Sequence, residues 1–98
     1  MSAYTLDNGE ELHRESPETF QLPSAEQRHT LQPGALVKLV FRGTDAAGAV
    51  RVERMWVQVT EKGDGYSGTL DNDPYHIVGL AHGDTVAFGP EHVIQIDG

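Results

Sequence analysis

Cysteine is absent from the chain, which excludes disulfides, thiolate metal sites and cysteine nucleophiles. Small secreted domains tend to depend on such cross-links, so the absence points towards a cytoplasmic setting. Long hydrophobic runs are also missing: the uninterrupted apolar stretches span a few residues, against the ~20 needed to cross a bilayer. The opening Met-Ser-Ala-Tyr-Thr-Leu-Asp has neither a basic stretch nor an apolar run and does not read as a signal peptide. Positive charge is scarce, with seven Lys and Arg against fifteen Asp and Glu. The net charge of −8 opposes long-range attraction to phosphate backbones. Four of the seven cations, Lys38, Arg42, Arg51 and Arg54, nevertheless fall within one short span and leave room for a local patch.

What is present fits one small domain, because 98 residues suffice for a single core and hardly for two. Residues 1–15 carry only isolated apolar side chains among acids, with no period of 2 or 3.6, and read as a flexible tail ahead of a β-rich domain over 16–98. Asn8-Gly9 has the form of a hairpin turn, but the alternating apolar flanks a hairpin needs are missing. Ser24 followed by Gln27 is a capping box, which predicts a helix of about two turns. Pro33-Gly34 then suits a type II turn into the first strand, since glycine accepts the positive φ required there.

Five strands are predicted after it, over 35–42, 50–60, 66–70, 85–88 and 93–96, each rich in Val, Ile, Thr or aromatics and bounded by turn formers. The links at 43–48 and 61–65 are short enough for antiparallel hairpins. Alternation places Val37, Leu39 and Phe41 on one face and Met55, Val57 and Val59 on the facing one, defining a core. The opposite faces hold Leu36, Val40, Val50, Val52 and Trp56, too apolar for free exposure to water. A cover built from Phe20, Leu22 and Leu31 accounts for all five, whereas a β-bulge near Glu53-Arg54 would explain only Val50 and Val52. The expected architecture is mainly β (α+β): a small, strongly twisted antiparallel sheet curling into an SH3-like, partly open barrel, with one short helix N-terminal to it. A weak echo between 33–41 and 82–88, each a glycine turn feeding a Val/Phe strand, does not amount to a repeat architecture.

Several segments taken together resemble a known family: residues 34–41 (Gly-Ala-Leu-Val-Lys-Leu-Val-Phe), residues 53–60 (Glu-Arg-Met-Trp-Val-Gln-Val-Thr), residues 68–74 (Gly-Thr-Leu-Asp-Asn-Asp-Pro) and residues 82–86 (His-Gly-Asp-Thr-Val). Their order and spacing are similar to those of the uncharacterised bacterial YegJ-like domain family, a domain of unknown function. The resemblance covers roughly 16–97, and its most specific blocks are Arg-Met-Trp-Val and Leu-Asp-Asn-Asp-Pro. It implies a small, mainly β bacterial domain and supplies no activity and no catalytic residue. Ala35 stands where an acidic residue is expected after the turn glycine, a departure that bears on the turn.

No constellation commits the chain to a reaction. Gly63-x-Gly65-x-x-Gly68 has the spacing of a pyrophosphate loop, but strand patterns flank it on both sides, so it reads as a hairpin and no cofactor is expected. Asp71, Asn72, Asp73 and His76, with His82 and Asp84 behind, gather potential metal ligands. A calcium loop would require Gly at 76 and Glu at 82, where His stands at both. Asx-rich turns also form because short polar side chains bond their own backbone. His76, His82 and His92 lack any metal-binding spacing, and Ser16, Ser24 and Ser67 lack a nucleophile-elbow context. Trp56, the only tryptophan, shares a face with Arg54 and is expected to pack beneath the N-terminal cover; where that cover is loose, Trp56 with Arg54, Lys38 and Arg42 becomes the best candidate contact surface.

The binding candidates are therefore Trp56 and Arg54 on the strand and Asp71, Asn72, Asp73 and His76 in the loop. A non-catalytic interaction module taking a protein or peptide partner is the first reading. A metal-dependent or enzymatic site at loop 71–84 is the second, and nucleic-acid contact through Lys38, Arg42, Arg54 and Trp56 the third.

Overall fold

A computed structural model describes residues 3–98. In chain order the elements are β1 (Tyr4–Leu6), α1 (Gly9–Glu15), α2 (Ala25–His29), β2 (Leu36–Thr44), β3 (Val50–Lys62), β4 (Tyr66–Leu70), β5 (Thr85–Phe88), a 3-10 turn (Pro90–His92) and β6 (Gln95–Ile96). All strand pairs are antiparallel and the sheet order is β1-β2-β3-β4-β5, with β6 on β2 beyond the end of β1. The sheet curls into a half-barrel. It stops short of closing, because a shallow opening lined by Tyr4, Leu6, Ala87 and His92 lies between β1 and β5.

Alternation sets the core. Val37, Leu39 and Phe41 of β2 and Met55, Val57 and Val59 of β3 are all buried. They join Leu70, Val86, Phe88 and Val93 on the concave face, and Ile77 and Leu80 from loop 71–84 seal one end. The loop can lie this close because Gly43 of β2 has no side chain: a Cβ there would come within 2.7 Å of Ile77. The capping box at Ser24 starts α2 as expected, with Ser24 accepting from the Gln27 amide and Gln27 accepting from the Ser24 amide. Gly34 takes a φ of 97°, the positive value a type II turn asks of its third residue.

Two expectations are corrected, and one alternative falls away. The tail expected at 1–15 is, from residue 4 onwards, a strand paired with β2 and a helix; Met1 and Ser2 lie outside the described residues. Asn8 is the helix N-cap, its side chain accepting from the amides of Glu10 and Glu11 at 2.9 and 3.1 Å. Polar links hold this region down where hydrophobic periodicity is lacking: Asp7 takes a bidentate hydrogen bond from Arg42, and Glu10 meets Arg28 at 2.7 Å. Arg28 is itself buried and also donates to the carbonyls of Pro23 and Pro90, so one guanidinium joins α1, α2 and the 3-10 turn.

The bulge at Glu53-Arg54, the less favoured alternative to a cover, does not form. Register between β2 and β3 runs unbroken from Leu36 opposite Gln58 to Thr44 opposite Val50, and the irregularity falls between Val59 and Glu61 against β4. Second, the cover is only partial. Phe20 reaches the convex face beneath Arg54 and Val40 is buried, but Leu31 turns into the core, and Val50 and Val52 stay 64% and 49% exposed.

Candidate functional site

Side chains on the convex face come from the even-numbered positions of β2 and β3, the complement of the core set. Lys38 pairs directly with Trp56 across the two strands, and its ammonium sits 4.6 Å from the indole centroid. One step along, Val40 pairs with Arg54, whose guanidinium lies 5.3 Å from the Phe20 ring. Two cations thus rest on two aromatic rings side by side. Their neighbours are engaged differently: Arg42 is paired with Asp7, and Arg51, on the opposite face, with Asp45. Among the described residues Lys38 and Arg54 have no carboxylate within salt-bridge distance.

Loop 71–84 joins this face through the backbone of Trp56. The Trp56 amide donates to Oδ1 of Asn72 at 2.6 Å, and its carbonyl accepts from the Asp71 amide at 2.9 Å. Asn72 therefore extends the β3 ladder past the end of β4, a structural task that occupies its acceptor. Asp71 points outward to His82 at 3.3 Å, and Asp84 accepts from the Ala81 amide within its own turn. Trp56, Arg54, Asp71 and Asn72 are in this way brought together.

Asp73 stays exposed, and His76 belongs elsewhere. Amides of Tyr75, His76 and Ile77 all donate to the Glu53 carboxylate at 2.7 to 3.0 Å, on the other face of β3 from Trp56. Burial pushes the Glu53 carboxyl up, but the three amide bonds and the nearby His76 outweigh it and hold the group below its ordinary range. Glu53 was absent from the sequence candidates although a signal existed: alternation puts it on the core-facing side with Met55, where a carboxylate needs partners. Buried Arg28 had no comparable signal, since its partners come from residues 10, 23 and 90.

Among the described residues no group of three His, Asp or Glu side chains is placed to hold a metal ion. Asp71 and His82 supply two donors, while Asn72 and Asp84 are spent on backbone amides. The glycine motif at 63–68 is the β3–β4 hairpin: the Gly63 amide donates to the Gly65 carbonyl, and a strand follows in place of the helix a pyrophosphate loop requires. No described helix is long and apolar enough to cross a membrane.

Residues 11–95 match a family described as an uncharacterized protein conserved in bacteria (DUF2314). The match spans most of the chain, and the chain belongs to this family. No curated protein and no solved structure gives a match.

Proposed function

We propose that this bacterial family member is a non-catalytic interaction module that takes an acidic, extended segment of a partner protein on the convex face around Trp56. The narrower YegJ-like affiliation rests on the Arg-Met-Trp-Val and Leu-Asp-Asn-Asp-Pro blocks, which are the two segments that meet at this surface. One observation carries the reading: in a chain of net charge −8, Lys38 and Arg54 are held on aromatic rings without a carboxylate of their own. Stacking restricts their rotamers before a ligand arrives, so less ordering entropy is lost when a carboxylate docks. Tryptophan and arginine are also the side chains that most often dominate interface energies.

A metal-dependent site at loop 71–84 is less well supported, because two of its four best donors already serve backbone amides. Nucleic acid would use the same cations but meets the repulsion of the whole acidic molecule. The test is an amide-shift titration of labelled protein with an alternating Glu/Val decapeptide and, separately, with an oligo-thymidine strand. The peptide is expected to move Lys38, Arg54 and the Trp56 indole N–H. Silence at these groups with the peptide sinks the reading, and a response to the oligonucleotide alone replaces it with the nucleic-acid one.

A further inference from the structure

A second surface, which shares Arg54 with that reading but rests on backbone groups in place of stacked cations, lies further along β3. We infer that the open edge of β3 over residues 50–54 pairs antiparallel with the same edge of a second copy of this chain, about a two-fold axis at Val52.

The direction of the backbone groups follows from two hydrogen bonds. Val59 donates its amide to Ala35, on the β2 side, whereas the amide and carbonyl of Trp56 are taken on the β4 side by Asn72 and Asp71. Odd residues of β3 therefore bond towards β2, and even residues towards β4. Pairing with β4 begins only at Val57, so among the described residues no strand meets Val50, Val52 and Arg54 on that side. Their amides and carbonyls form a short open template of the kind that accepts another strand.

Side chains then choose the occupant and the register. A two-fold axis at Val52 sets Val52 opposite its own copy, Val50 opposite Arg54, and Arg51 opposite Glu53 twice. Each edge-directed residue meets another edge-directed residue, so the backbone ladder closes. Moving the axis to residue 51 opposes two arginines, and moving it to residue 53 opposes two glutamates; like charges directly opposite destabilise a pair. Arg51 gives only its Nε to Asp45, which leaves its terminal nitrogens for the Glu53 of the other copy, whose Oε1 accepts only the Tyr75 amide while Oε2 takes those of His76 and Ile77. Charges on an edge strand ordinarily guard against arbitrary partners. In this one register the guard becomes a match, and Val52, half exposed in the single chain, is covered by its symmetry mate.

Five residues a side bury little, well below the ~1,200 Å² of stable complexes, so the dimer is weak and concentration-dependent. Sedimentation velocity and amide shifts of the full chain, recorded from ~10 µM to ~1 mM, test it. The expected result is a mass rising towards twice that of one chain, with concentration-dependent shifts confined to residues 50–54 and their immediate neighbours. Val52→Pro removes an amide that the sheet does not use, and Arg51→Glu sets a glutamate against Glu53. Each should weaken self-association at least tenfold, and Arg51→Glu decides alone should the proline variant fail to fold. A strictly monomeric chain over the whole range overturns the proposal. So do shifts centred elsewhere, or a dimer that a folded Val52→Pro or Arg51→Glu chain retains.

Discussion

Single polar side chains hold the parts of this molecule that hydrophobic burial does not reach. Glu53 collects three amides of loop 71–84 onto one carboxylate. Replacing it by alanine strands a part-buried donor at Ile77 and frees two exposed ones, which should cost about 2 kcal/mol. Denaturant midpoints check the loss, and hydrogen exchange at residues 75–77 should accelerate. Glu53→Gln, which keeps one acceptor oxygen, should fall between the two. Arg28 is a second case, because alanine there leaves the Pro23 and Pro90 carbonyls and Glu10 without their shared donor. A loss of about 2 kcal/mol is expected from the two carbonyls left without a donor, since Glu10, 40% exposed, can turn to water. Arg28→Lys should recover only part of it, since an ammonium cannot reproduce the fork that reaches three acceptors.

Among the elements, α1 and the end of β3 each lean on a single asparagine side chain. With seven residues α1 is too short to persist alone in water. Asn8→Ala should cost about 1 kcal/mol, read as a lower melting temperature. At β3, Asn72 stands in for the missing β4 residue beside Trp56. Asn72→Ala should loosen that corner by about 1 kcal/mol and shift tryptophan emission to the red as water reaches the indole. Should the emission stay fixed in the folded variant, the coupling of loop 71–84 to the convex face is wrong.

Across the whole molecule, acid sensitivity follows from carboxylates that native contacts hold below their ordinary range. Hydrogen bonding to Arg28 lowers Glu10, and the amides at 75–77 lower Glu53. A group depressed on folding contributes stability that is fully present above its unfolded value, about 4.5 for glutamate, and is lost as pH falls through the folded value. Unfolding free energy should therefore hold level near neutrality and decline below about pH 4.5. In Glu53→Gln the decline should be shallower, which urea titrations across pH 3 to 7 would measure.

Period-two patterning determined the core pairs of β2 and β3 and the positions of β4 and β5, and the Ser24–Gln27 capping box determined α2, because each is encoded by residues close together in the chain. The β1–α1 region escaped it. Its anchors, Arg42 for Asp7 and Arg28 for Glu10, stand 35 and 18 positions away, and local periodicity carries no trace of so distant a partner. Composition likewise named Trp56, Arg54, Asp71 and Asn72 as candidates, yet only the folded chain could show that the backbone of Trp56 ties Asp71 and Asn72 to this face while the His76 amide meets Glu53 on the other face of β3. Which residues face inward is set by the two-residue pleat and is written in the chain; which charges find partners depends on where loops cross the sheet, and tertiary packing alone decides that.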